Sequence, residues 1–119
     1  MQIEIQARDF SLTPALRSHV VRRLGFALST RYDRIGRIRV RLSDINGPRG
    51  GSDKCCQLHI IMPGQADIVI VDTQANLYVA IDRAADRASR AVSRSLARLR
   101  RKKRYGLPFG GMARTLMYE

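Results

Sequence analysis

Apolar and polar residues take turns over residues 2–8. Ile3, Ile5 and Ala7 fall on one side and Gln2, Glu4, Gln6 and Arg8 on the other, the period of a half-buried strand. The period then changes. Thr13 is a good helix N-cap and Pro14 suits the first helical position. Leu16, Val20, Leu24, Ala27 and Leu28 follow at helical spacing, which predicts a helix over 14–30, weakened at Gly25. Alternation returns over 37–43, with Ile38, Val40 and Leu42 on one face and Arg37, Arg39 and Arg41 on the other. Residues 44–53 are rich in Gly and Asp and read as a turn or long hairpin loop. A third strand is predicted over 54–62, with Cys56, Leu58, Ile60 and Met62 on one face, and Pro63-Gly64 then turns the chain. The fourth strand, 66–72, is apolar on both faces at 68–71, so its orientation is not readable from the pattern. From Asn76 to Arg104 the period is helical, and Leu77, Ile81, Ala85, Ala88, Val92, Leu96 and Leu99 form one stripe.

This order implies an α+β fold, β-α-β-β-β-α. One four-stranded mixed sheet is expected, with two helices packed on one face. If the first two strands are neighbours, the helix between them makes that pair parallel, and the short connections after it make an antiparallel meander. Residues 1–104 form one domain, and 105–119, with Gly106, Pro108, Gly110 and Gly111, is expected to be an irregular, flexible tail. A chain of 119 residues with 45% hydrophobic positions supports one modest core. The first ten residues lack the layout of a signal peptide, and no apolar run approaches the roughly 20 residues of a membrane span. A soluble, cytoplasmic protein is expected, monomeric when free, with no membrane partner.

Charge narrows the partner. The chain has 22 Lys and Arg against 10 Asp and Glu, a net charge of +12, and Arg makes up 19 of the 22. Such an excess points to a polyanion. Guanidinium forks bind phosphates with two bonds and stack on bases, which suits RNA, although a GC-rich genome also favours Arg codons. The last helix concentrates the charge. Arg83, Arg87, Arg90, Arg94, Arg98 and Arg101 step by three or four residues and form a ridge almost opposite the apolar stripe. Residues 83–104 hold ten basic residues and one acid, Asp86. An ordinary solvated face mixes both signs, whereas six arginines in a row repel, so a polyanion-binding face is the better reading. Arg37, Arg39 and Arg41 make a second ridge, equally readable as edge protection. Lys54 and the 47–54 loop add charge that can touch a nucleic-acid backbone.

Little supports catalysis. The 47–54 loop, GPRGGSDK, lacks the Gly-Lys-Ser/Thr ending and following helix of a phosphate loop. Asp82 and Asp86 lie one turn apart, but helix electrostatics, with Asp86 pairing to Arg90, explains them. Cys55 and Cys56 are adjacent and read as reduced thiols in a strand. His19 and His59 have no metal-ligand spacing to them. No enzyme, cofactor, metal or small-molecule substrate is expected.

Three ordered motifs point further. Leu12-Thr13-Pro14-Ala15-Leu16-Arg17 opens the first helix, Tyr32-Asp33-Arg34-Ile35 follows it, and Leu77-Tyr78-Val79-Ala80-Ile81-Asp82 precedes Asp86-Arg87. With the element order, over about residues 1–100, this set resembles the bacterial ribosome hibernation-promoting factors, also called ribosome-associated inhibitors or sigma-54 modulation proteins. The resemblance implies binding to rRNA of the small ribosomal subunit, in the decoding cleft, where mRNA and tRNA binding are blocked in stress or stationary phase. It carries over Arg17, Arg23, Arg87, Arg90 and Arg94 as rRNA contacts. Arg37, Arg39, Arg41, Lys54, Arg83, Arg98 and Arg101 rest on charge alone. A 119-residue chain resembles the short-type members, and its 44–54 loop is longer and more Gly-rich than theirs. The alternative is a general RNA- or DNA-binding regulatory module without ribosome dependence.

Overall fold

The structure is a computed structural model. It describes residues 1–8, 10–44 and 54–105, with side chains as far as Arg101. Most of the 47–54 loop and the tail after residue 105 lie outside the described residues.

The chain runs β1 (Gln2–Arg8), α1 (Pro14–Ala27), a 3₁₀ segment (Ser29–Arg34), β2 (Arg37–Asp44), β3 (Lys54–Ile61), β4 (Ile68–Gln74) and α2 (Leu77–Tyr105). The strands pair in sequence order, with β1 parallel to β2 and the other two pairs antiparallel. This is the expected mixed four-stranded sheet.

Local chemistry sets most boundaries. The Thr13 hydroxyl accepts the Leu16 backbone N–H at 3.1 Å, with Pro14 in the first helical turn. Asn76 does the same for α2, its side-chain oxygen accepting the backbone N–H of Tyr78 at 2.8 Å. These caps satisfy donors that a helix start leaves without internal partners. Gln65 N–H donates to the Met62 carbonyl at 3.0 Å, and Gly64 between them has φ 78°. That is a type II turn, whose third position needs the left-handed φ that glycine takes freely.

Both helices cover one face of the sheet. Leu16, Val20, Leu24 and Leu28 from the α1 side pack with Ile38, Val40 and Leu42 of β2, with Cys56, Leu58 and Ile60 of β3, and with Ile81, Ala85, Ala88, Val92 and Leu96 of α2. Three departures from the sequence pattern have physical causes. α1 ends at Ala27 rather than 30, because Leu28 leaves helical geometry and the chain tightens into the 3₁₀ segment. α2 buries a wider band than its apolar stripe, because Ala80, Ala84 and Ser95 are small enough to lie against neighbours. Leu99 is only half-buried, since it lies past the end of the packed layer. The unreadable strand is also settled. Ile70 and Asp72 of β4 point into the core, and Val69 and Val71 point out.

Candidate nucleic-acid interface

The α2 ridge is present, and it divides into two parts. At its N-terminal end, Arg83 and Arg87 bend toward β4. Arg87 Nη1 donates to the Val71 carbonyl at 2.6 Å and to Asp72 Oδ2 at 3.3 Å, and Arg83 Nε lies 3.7 Å from the same carboxylate oxygen. The Asp72 side chain is only 6% exposed, and its second oxygen accepts a bond from Gln74 at 2.7 Å. A carboxylate buried to that degree needs partners of opposite charge, and the two arginines supply them. Asp72 went unnoticed in the sequence. The signal was an acid in register with Ile68 and Ile70 on the core-facing side of β4.

Further along, Arg90, Arg94, Arg98 and Arg101 are exposed and make no ion pair with another described residue. At 1.5 Å per residue the whole ridge from Arg83 to Arg101 spans roughly 27 Å. The side chains of Lys102, Lys103 and Arg104, which would extend it, lie outside the described residues. The unpaired part therefore presents four guanidinium groups, each with forked donors suited to phosphate oxygens.

On α1, Arg17 is exposed, whereas Arg23 is built into the fold. Arg23 Nε donates to Asp82 Oδ1 at 2.9 Å, and its Nη2 donates to the Asp82 carbonyl at 3.1 Å and to Asp86 Oδ1 at 2.9 Å. His19 Nε2 lies 2.8 Å from the same Asp82 oxygen, and its ring meets the Tyr78 ring edge-on at 4.8 Å. Partial burial disfavours the Arg23 charge, but the bonds to Asp86 and Asp82 outweigh it and hold the guanidinium above its ordinary pKa. Asp86 thus pairs across the helix interface, not with Arg90 as its i,i+4 spacing suggested. The two aspartates form the acidic half of an interhelix clamp.

The sheet arginines lie elsewhere. Arg37, Arg39 and Arg41 stand on the face turned away from the helices, in register with Gln2, Glu4 and Gln6 of β1. Glu4 lies 3.4 Å from Arg37 and 3.7 Å from Arg39, so β1 offsets part of their charge, while Arg41 has no ion pair among the described residues. Lys54 falls on the other side, in register with Asp44, to which its Nζ donates at 2.8 Å. The expected contacts therefore do not form one surface. Arg90, Arg94, Arg98 and Arg101 share one ridge, and Arg37, Arg39 and Arg41 lie behind the sheet.

Among the described residues, no group of three or more His, Cys, Asp or Glu side chains is placed to hold a metal ion. No described helix is long and apolar enough to cross a membrane. Cys55 and Cys56 are free thiols on opposite faces of β3, and burial, with Cys55 and Asp72 nearby, pushes the Cys56 thiol up to about 12. Phe26, 78% exposed on α1, is an aromatic that the helical pattern did not single out.

Comparison with known proteins fits this architecture. The family described as sigma 54 modulation protein / S30EA ribosomal protein matches residues 3–100. A ribosomal subunit interface protein from Coxiella burnetii superposes with a TM-score of 0.70 at 21% identity, over 82% of this chain and 99% of that one. The N-terminal domain of Thermus thermophilus Protein Y superposes with a TM-score of 0.61 at 29% identity, over 78% of this chain and 93% of that one. No curated protein matches the chain.

Proposed function

The chain belongs to the sigma 54 modulation protein / S30EA ribosomal protein family, and on that footing we propose that it is a cytoplasmic ribosome hibernation factor. It binds rRNA in the decoding cleft of the small ribosomal subunit and blocks mRNA and tRNA binding under stress or in stationary phase. Its action is occupancy, not catalysis. The supporting observation is the row of Arg90, Arg94, Arg98 and Arg101, exposed and unpaired along one side of α2. Four like charges held a turn apart repel one another, and a phosphate backbone relieves that repulsion. The description of the matched family, which includes an S30EA ribosomal protein, agrees with a ribosomal partner.

The roles of the arginines then differ. Arg90, Arg94, Arg98 and Arg101 contact phosphates directly, and Arg17, exposed near the start of α1, makes a separate contact. Arg83 and Arg87 contact RNA while anchored to Asp72. Arg23 acts through the clamp, holding α1 against α2. Arg37, Arg39 and Arg41 make at most a secondary contact, because one RNA surface laid along the ridge does not reach them.

Co-sedimentation with purified small subunits tests the assignment. The variant Arg90→Glu/Arg94→Glu/Arg98→Glu, which leaves the Asp72 and Arg23 pairs intact, is expected to bind at least about 100-fold more weakly. Wild-type affinity should fall steeply with salt, as counterions are released from each neutralised phosphate. Equal sedimentation of variant and wild type rejects the ridge. Equally tight binding of the wild type to a free RNA hairpin favours the general nucleic-acid module instead.

A further inference from the structure

The groove between α1 and α2 treats its charges differently at its two ends. At one end Asp82 and Asp86 are matched by Arg23 and His19. At the other end, Thr30, Arg31 and Arg34 of the 3₁₀ segment and Arg100 of α2 surround Leu96 in an open depression of about 280 Å³. Three arginines meet one carboxylate there, that of Asp33, and none of the three forms an ion pair with a described residue. Arg31 Nη1 donates to the Thr30 hydroxyl at 3.1 Å. Its Nε is buried without a hydrogen-bond partner, the only such side-chain atom among the described residues.

Three guanidinium groups gathered around one carboxylate keep an excess of positive charge and repel one another. An oxyanion seated among them relieves the repulsion, because each guanidinium offers forked donors and the anion offers several acceptors. Arg100 is not part of the ridge. It lies about 100° around the helix from Arg101, toward α1.

We propose that the Arg31–Arg34–Arg100 depression is a phosphate site separate from the ridge, and that a backbone phosphate of bound RNA occupies it. The RNA occupant rests on the function proposed above. The site itself does not, since the same donors accept inorganic phosphate. Two contact regions on different flanks of the helix pair would fix the rotation of the protein on its RNA, which a single ridge leaves free.

Two arms separate the sources. In the first, inorganic phosphate is titrated into the wild-type protein while the arginine Nε–H resonances are followed by NMR. The Arg31 signal should move saturably, and the movement should vanish in Arg34→Gln/Arg100→Gln, a pair of exposed positions whose change leaves half-buried Arg31 in place. In the second arm, the same double variant should bind small subunits about tenfold more weakly, with a salt slope shallower by about one. No movement of the Arg31 signal, with unchanged subunit affinity, overturns the site. Movement with unchanged affinity overturns the RNA occupant and leaves free phosphate as the ligand. If wild-type protein does not bind subunits at all, the functional reading falls by itself, and the phosphate titration alone decides the depression.

Discussion

Arg23 shows how a residue's type and place can mislead about its use. On sequence it is one more helical cation among many. In the fold its donors are taken by Asp82 and Asp86, and its side chain is 23% exposed. Removing it leaves two carboxylates without their main partner, beside His19. Arg23→Ala is therefore expected to lower stability by about 1–2 kcal/mol in urea melts. A loss of ribosome affinity with unchanged stability would instead make Arg23 a direct contact. The adjacent thiols make a second case. Cys56 is fully buried and its thiol is pushed up to about 12, so it stays protonated at neutral pH, whereas Cys55 is partly exposed. Mass spectrometry after brief alkylation at pH 8 should find the label on Cys55 and none on Cys56, since the thiolate is the reactive form. Label on Cys56 in folded protein would contradict the packing of β3.

At the level of elements, α2 does three jobs with three sides of one cylinder. One side packs on the sheet, one meets α1 through Asp82 and Asp86, and one carries the arginines. The apolar stripe and the ridge were legible because both follow the helical period. The clamp was not, because its partners lie 59 and 63 residues apart in sequence. Nor could the pattern show that Arg83 and Arg87 lean onto β4. That depends on Asp72 pointing inward, and the 68–71 run fits either orientation of the strand. The first-helix boundary failed for a related reason. Leu28 continues the apolar period and is buried, yet it is buried at the helix end and not within the helix.

At the level of the molecule, the helices and the open sheet face look in opposite directions. A rigid RNA surface that follows the ridge does not also lie on Arg39 and Arg41. The double variant Arg39→Ala/Arg41→Ala is expected to keep subunit affinity within about threefold of wild type. A loss comparable to that of the ridge variant would mean that RNA wraps the sheet edge. Sequence alone determined the element order, the α+β class, the core stripe and the alignment of six arginines, because each follows from local periodicity and from caps a few residues away. It also carried the family resemblance, since the motifs are short and ordered. Only the tertiary structure decided which arginines are free. Whether a guanidinium serves the fold or a partner depends on the carboxylates that packing brings beside it. Those carboxylates, Glu4, Asp72, Asp82 and Asp86, come from elements distant in the chain.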